Sequence, residues 1–246
     1  MMSKTIAIAG KGGVGKSTLS TFIIQSLSEK DVVLAIDADP NSNLPDKLGI
    51  EVEGTIGGLR NDIVEDPDQI PAGVSKHEYL ASNVRMLLAE TDRIDLLVMG
   101  RPEGAGCYCF TNNILKECLS DLVPKYKYTV IDNEAGMEHI SRKVLPSVDI
   151  LILVSDPTMM GVKTASRLSE LAKEVGIEAG KTILAINNAF FDATNLVKDA
   201  ESKGFDNVFV IPHDPEISKA ASESTRLDIS KDSEFAKAAG KIISAL

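Results

Sequence analysis

The sequence predicts a three-layer α/β fold, a mostly parallel sheet covered by helices on both faces. Three observations carry this expectation. Short apolar runs rich in β-branched residues recur along the chain, and segments with helical spacing separate them. Most of the runs are continuously apolar rather than alternating, as strands buried on both faces must be.

In chain order, TIAIA (5–9) is the first strand, and a glycine-rich turn carries it into the helix STLSTFIIQSLSEK (17–30). VVLAI (32–36) is the second strand. In residues 40–92 the stretches DPNSNLP, GTIGG and EDPDQIPAG supply turn residues and breakers, so loops and short helices are expected there. IDLLVM (94–99) gives a strand, NNILKECLSDLV (112–123) a helix, and YTVI (128–131) and ILILV (150–154) two more strands. KTASRLSELAKEVG (163–176) reads as a helix, TILAI (182–186) and VFVI (208–211) as the last strands, and SEFAKAAGKIISAL (233–246) as a closing helix. With no internal repeat and no Pro/Gly/Ser-rich linker, residues 1–246 are expected to form one domain.

The balance of 26 Lys+Arg against 36 Asp+Glu gives a formal charge of -10, which argues against nucleic acid and anionic membranes as partners. No apolar stretch is long enough to span a bilayer, and MMSKTIAIAGKGG lacks the apolar core and cleavage site of a signal peptide. Three cysteines do not make a disulfide framework, so a reducing cytoplasm is the expected location.

After the first strand, GKGGVGKST (Gly10 to Thr18) satisfies the phosphate-loop pattern G-x-x-x-x-G-K-[ST] in its strand-to-helix context. Such a loop turns consecutive backbone N–H groups inward around phosphate oxygens, at the positive end of the following helix. Gly12, Gly13, Val14, Gly15, Lys16, Ser17 and Thr18 are the candidate nucleotide-binding residues. Lys16 supplies a cation to the terminal phosphates, and Ser17 a hydroxyl to Mg²⁺. The fold class is therefore the P-loop NTPase fold.

A further lysine, Lys11, occupies a position that the bare pattern leaves free. GKGGVGKS resembles the deviant phosphate loop of the dimeric ATPases that include nitrogenase iron protein, septum-site and chromosome-partitioning ATPases, and metallocentre-maturation ATPases. The resemblance implies ATP hydrolysis by a homodimer in which Lys11 reaches the partner's nucleotide in the transition state. AIDADPNSN (35–43) resembles the switch I of this class, which puts Asp37 near Mg²⁺ and Asp39 where it positions or deprotonates the attacking water. VIDNEAG (130–136) resembles its Walker B strand and switch II, with Asp132 near Mg²⁺ and Gly136 sensing the γ-phosphate. Asn187, after TILAI, and Pro212, His213 and Asp214, after VFVI, resemble its adenine-binding positions. No N-K-x-D guanine signature is present.

Cys107 and Cys109 in GRPEGAGCYCF (100–110) give two thiolates from one chain, whereas Zn²⁺ or square-planar Ni²⁺ takes four donors. A symmetric dimer with this loop on its two-fold axis supplies the pair twice. Read without context, the pair is equally a set of buried or redox-sensing thiols. Its setting resembles the carbon monoxide dehydrogenase accessory ATPases of the CooC type, which share the C-x-C loop. They also share a switch II of the form D-x-E-A-G-x-E-H, met here by Asp132, Glu134, Ala135, Gly136, Glu138 and His139. That resemblance implies nickel delivery to a carbon monoxide dehydrogenase by a homodimer that depends on nucleotide, metal or both. Cys118 is expected in the core. Two other readings are a positioning ATPase on a membrane or DNA, and an iron–sulfur reductase component. Switch II lacks the cysteine that the second would need.

Overall fold

The computed structural model describes residues 3–66, 69–101, 116, 119–135, 147–222 and 226–246. Its strands are β1 (Lys4–Gly10), β2 (Val33–Ala38), β3 (Ala89–Glu90), β4 (Ile94–Val98), β5 (Tyr128–Ala135), β6 (Ser147–Ser155), β7 (Glu178–Ala189) and β8 (Asn207–Pro212). They form one sheet in the order β3-β4-β2-β5-β1-β6-β7-β8. Every pairing is parallel except β3 with β4. Each of the seven apolar runs falls on a strand, with only Val32 and Met99 lying just outside the strand ends. The two-residue β3 is too short to leave a periodic signal.

The helices include α1 (Lys16–Ser28), α2 (Leu44–Leu48), α3 (Ile56–Glu65), α4 (Lys76–Met86), α5 (Met159–Glu174), α6 (Thr194–Ser202), α7 (Pro215–Ser222) and α8 (Glu234–Ala245), and residues 119–122 are also helical. The breaker-rich region thus holds three helices, and two of them start on hydroxyl caps. Thr55 accepts from the Gly58 N–H, and Ser75 forms a reciprocal capping box with Glu78. α3 and α4 then bury Ile56, Ile63 and Val84.

One sheet face is continuous. Ile6, Ile8, Val98, Val130, Ile152 and Ala185 pack there against α1 and α8. The opposite face is split into two patches: Leu34, Ile36 and Leu97 meet α3 and α4, while Ala7, Leu151 and Leu184 meet α5 and α6. α8 buries Phe235, Ala239 and Ile242, with the Phe235 ring edge-on to Phe22 at 5.7 Å. Its apolar face therefore belongs to the core. Among the described residues no helix is long and apolar enough to cross a membrane.

Candidate nucleotide and magnesium site

The loops that carry candidate chemistry all leave the carboxyl ends of parallel strands, the usual ligand edge of such sheets. β1 runs so close to β6 that a Cβ on Gly10 would lie 2.3 Å from the Val154 carbonyl oxygen. Only glycine fits this approach. Further along the loop Gly13 (φ 78°) and Gly15 (φ 94°) take left-handed conformations, which let the chain turn into α1.

α1 starts at Gly15 with no side-chain cap, whereas hydroxyls of Thr55, Ser75, Thr158 and Ser233 cap the starts of α3, α4, α5 and α8. Its first-turn N–H groups are left for an anion. Lys16 is buried and folds back over the loop, its Nζ donating to the Lys11 carbonyl at 3.2 Å. The Lys11 side chain itself is exposed.

The loop is tied to β7 as well. Asn187 Nδ2 donates to the Val14 carbonyl at 2.8 Å, and a Cβ on Gly15 would sit 2.3 Å from that same nitrogen. A Gly15→Ala protein is expected to lose about 1–3 kcal/mol of stability, because the methyl adds left-handed strain. It also displaces Asn187, so calorimetric titration should show ATP affinity falling at least about tenfold, the equivalent of about 1.4 kcal/mol.

Asp37 on β2 and Asp132 on β5 are direct neighbours across the parallel pair, and both are fully buried. Asp37 Oδ1 accepts the Asp39 N–H at 3.1 Å and Oδ2 the Leu44 N–H at 2.8 Å, which folds switch I back onto the strand end. Burial above all, with the Asp132 charge adding to it, pushes the Asp37 carboxyl up to about 7 against those two N–H groups. Asp132 Oδ1 accepts from Ser20 Oγ at 2.9 Å, while Oδ2 is buried without a hydrogen-bond partner. Burial pushes this carboxyl up to about 6, and the Ser17 and Ser20 hydroxyls and the Lys16 ammonium pull it down. Asp39 Oδ1 accepts from both the backbone and side-chain nitrogens of Asn41, each at 2.9 Å.

An orphaned carboxylate oxygen on a dry floor below Ser17 fits a hard cation. Among the described residues no three His, Cys, Asp or Glu side chains close into a metal cage. That suits Mg²⁺, which takes one or two carboxylates and completes its shell with phosphate oxygens and water. Asp37, each of whose oxygens already accepts an N–H, fits an outer position better than a direct one.

Beside the loop lies a cleft of about 220 Å³, bounded by Gly13, Val14, Gly15 and Thr18 on one side and by Asn187, Pro212 and Asp214 on the other. Asp214 is occupied structurally. Its Oδ1 accepts from Glu216 and Ile217 N–H at the start of α7, and its Oδ2 from Phe235 N–H at 3.4 Å. The His213 ring is not among the lining groups; it stacks on Phe190 and bonds Asn188.

The family described as the CobQ/CobB/MinD/ParA nucleotide binding domain matches residues 5–227, which takes in the loop, both switch aspartates, Asn187 and Asp214. The chain belongs to this family. It is 41% identical over 218 residues to an uncharacterized ATP-binding protein of Methanocaldococcus jannaschii, covering 87% of this chain and 86% of that one. Identity to the carbon monoxide dehydrogenase accessory protein CooC of Rhodospirillum rubrum is 33% over 229 residues, covering 87% and 86%. Among solved structures, the septum site-determining protein MinD of Pyrococcus horikoshii, complexed with Mg-ADP, superposes with a TM-score of 0.68 at 22% identity, covering 99% of this chain and 96% of that one. A ParA family ATPase of Chlorobium tepidum gives 0.72 at 18%, covering all of both chains.

The three-layer α/β fold is therefore that of the MinD/ParA P-loop ATPases, and the chain is a nucleotide-binding ATPase. Of the residues singled out in the sequence, Cys107, Cys109, Cys118, Gly136, Glu138 and His139 lie outside the described residues. Sequence reasoning passed over several groups at this MinD/ParA-type site. Asp156 and Pro157, directly after the end of β6 at Ser155, line the cleft, as does Asn188, two residues beyond the apolar run TILAI; the rule that ligands sit beyond strand ends would have flagged all three. Ser20 holds Asp132 from one helical turn beyond Ser17. Ile217, Ser218 and Phe235 reach the cleft from α7 and α8 and leave no local signal.

Proposed function

We propose that this ATPase is a metallochaperone that supports nickel insertion into a carbon monoxide dehydrogenase. The observation that carries the reading is the 33% identity, over 87% of the chain, to the accessory protein CooC of Rhodospirillum rubrum. The C-x-C pair and the D-x-E-A-G-x-E-H switch II in this sequence support it.

In this reading the loop N–H groups of Gly12 to Thr18 cradle the phosphates, and Lys16 and the partner's copy of Lys11 place cations on the charge that spreads during transfer. Mg²⁺, held by Ser17 and Asp132 with Asp37 behind, supplies charge neutralisation at the terminal phosphates. Asp39 takes the proton of the attacking water or orients it. Asn187 holds the base end, with Pro212 and Asp214 forming the far wall and His213 behind it. Two copies each of Cys107 and Cys109 then bind Ni²⁺ or Zn²⁺ as cargo across the two-fold axis. Hydrolysis resets the pair and lets the metal pass to the dehydrogenase.

Metal affinity must then depend on the nucleotide, and by reciprocity the metal must change nucleotide affinity by the same factor. Titration of Ni²⁺ and of Zn²⁺ into the nucleotide-free, ADP and non-hydrolysable ATP forms is expected to give affinities differing by about fivefold or more. Equal affinities in all three forms would reject the coupling. A Cys107→Ala, Cys109→Ala protein is expected to lose this metal binding while keeping its ATPase activity, and full retention of metal would reject the site. For the positioning alternative, the α8 face that a membrane would need is already buried against α1. Pelleting with anionic liposomes or DNA plus ATP is expected to leave the protein in the supernatant.

A further inference from the structure

The β7–β8 ladder breaks register between Ile186 and Ala189, and within the break Asn188 takes a left-handed backbone conformation at φ 61°. Neighbouring residues of a regular strand point to opposite faces. Here the irregularity lets Asn187 and Asn188 both line the cleft beside the phosphate loop.

The two amides are pinned with opposite ends outward. Asn187 Nδ2 is committed to the Val14 carbonyl at 2.8 Å, so its oxygen is the remaining end. Asn188 Oδ1 is committed to His213 Nδ1 at 2.7 Å, where the ring nitrogen must donate because an amide oxygen only accepts. Its nitrogen is therefore the remaining end. Among the described residues no other hydrogen bond occupies either end. The His213 backbone N–H donates to the Ala189 carbonyl at 2.9 Å, which anchors the residue, and the imidazole ring stacks on the Phe190 ring at 4.2 Å and 26°. Phe190 is 66% exposed, so this ring is held by the imidazole rather than by the core.

An acceptor beside a donor is the complement of the adenine edge, which offers an amino donor next to a ring-nitrogen acceptor. Guanine presents two acceptors on the same edge. We infer that His213, steadied by Phe190, is a positioning residue that holds Asn188 with its amide nitrogen toward the cleft, so that the Asn187–Asn188 pair selects adenine over guanine. The inference rests on the cleft being the base end of the ATP site. It gives His213 a part played through Asn188 rather than by contact with the base.

The test is steady-state hydrolysis of ATP and GTP by the full chain, with melting temperature as the folding control. His213→Ala is expected to raise KM for ATP about tenfold with kcat within about twofold, and to cut the ATP-over-GTP preference in kcat/KM about tenfold. His213→Asn places an amide donor near the lost Nδ1 and is expected to recover KM to within about threefold of wild type. Phe190→Ala, at an exposed position that folding does not need, is expected to move KM and preference in the same direction by a smaller factor. Unchanged KM and preference in His213→Ala, or a lower kcat at unchanged KM, overturns the positioning role. Ser218→Phe fills the cleft from α7 and separates the two levels of failure. If it raises KM while His213→Ala does not, only the positioning role falls. If neither raises KM, the base lies elsewhere and the reading of the cleft falls with it.

Discussion

Replacing Asp39 with asparagine is expected to lower kcat for ATP hydrolysis about 10²–10⁴-fold, the range that a positioned acid–base group contributes, while ATP affinity stays within a few-fold. The side chain is buried at the carboxyl end of β2, 8% exposed. One of its oxygens is consumed by the two Asn41 donors at 2.9 Å, which fix its orientation; among the described residues the second has no protein donor. Asparagine keeps an oxygen for Asn41, so switch I should hold its shape. What is lost is the anionic acceptor for the proton of water. The prediction therefore separates chemistry from folding: single-turnover hydrolysis should fall, whereas melting temperature and the binding of a non-hydrolysable ATP analogue should barely move. An Asp39→Asn protein that hydrolyses ATP within about threefold of wild type would remove Asp39 from the reaction.

The phosphate loop was readable because it is local. Each residue that matters lies within nine positions of sequence, and the strand before it and the helix after it are strongly apolar. The parallel strands were readable for a related reason: burial on both faces forces uninterrupted apolar runs such as ILILV and TILAI. α6 and α7 were not. In TNLVKDAES only Leu196 and Ala200 are buried, and in PEISKAAS no described side chain is fully buried, so tertiary packing rather than a strong local pattern decides these short helices.

The cleft beside the phosphate loop was the least legible part. Asp156 comes from the end of β6, Asn188 from an irregularity in β7, Ile217 from α7 and Phe235 from α8, and they meet only because β6, β7 and β8 are sheet neighbours. Asn188 shows the limit well. Its role depends on a positive φ and on a histidine 25 positions away, and neither is visible in the letters INNAFF. Asp214, read as a nucleotide contact by resemblance, shows the converse: three backbone N–H groups already use its oxygens to join α7 to α8.

Asp132→Asn is expected to make the nucleotide-free protein more stable at pH 8 while abolishing Mg²⁺-dependent hydrolysis. The Asp132 carboxyl is fully buried, and its pKa is raised from 3.8 to about 6, chiefly by burial and despite Lys16 nearby. The folded state therefore binds more protons than the unfolded chain between those two values, and stability falls as pH rises through that window. Below pH 4 the penalty is absent, and above about 6 it stands in full, at roughly 3 kcal/mol. Asp37, raised to about 7 mainly by burial, acts with the same sign over a slightly wider window. Asparagine at position 132 keeps an oxygen for Ser20 and presents an amide to Ser17, so most of the penalty should vanish. Allowing for imperfect fit, a gain of about 1–3 kcal/mol, or roughly 2–10 °C in melting temperature, is expected at pH 8 and little at pH 4. Mg²⁺ with ATP should then stabilise wild type far more than the variant, because the orphaned Oδ2 that welcomes the cation is gone. The folded chain keeps a destabilising carboxylate at its centre because that carboxylate is stabilised only when magnesium and nucleotide arrive. A variant no more stable than wild type at pH 8, still responding fully to Mg²⁺ and ATP, would show that the cost and the metal lie elsewhere.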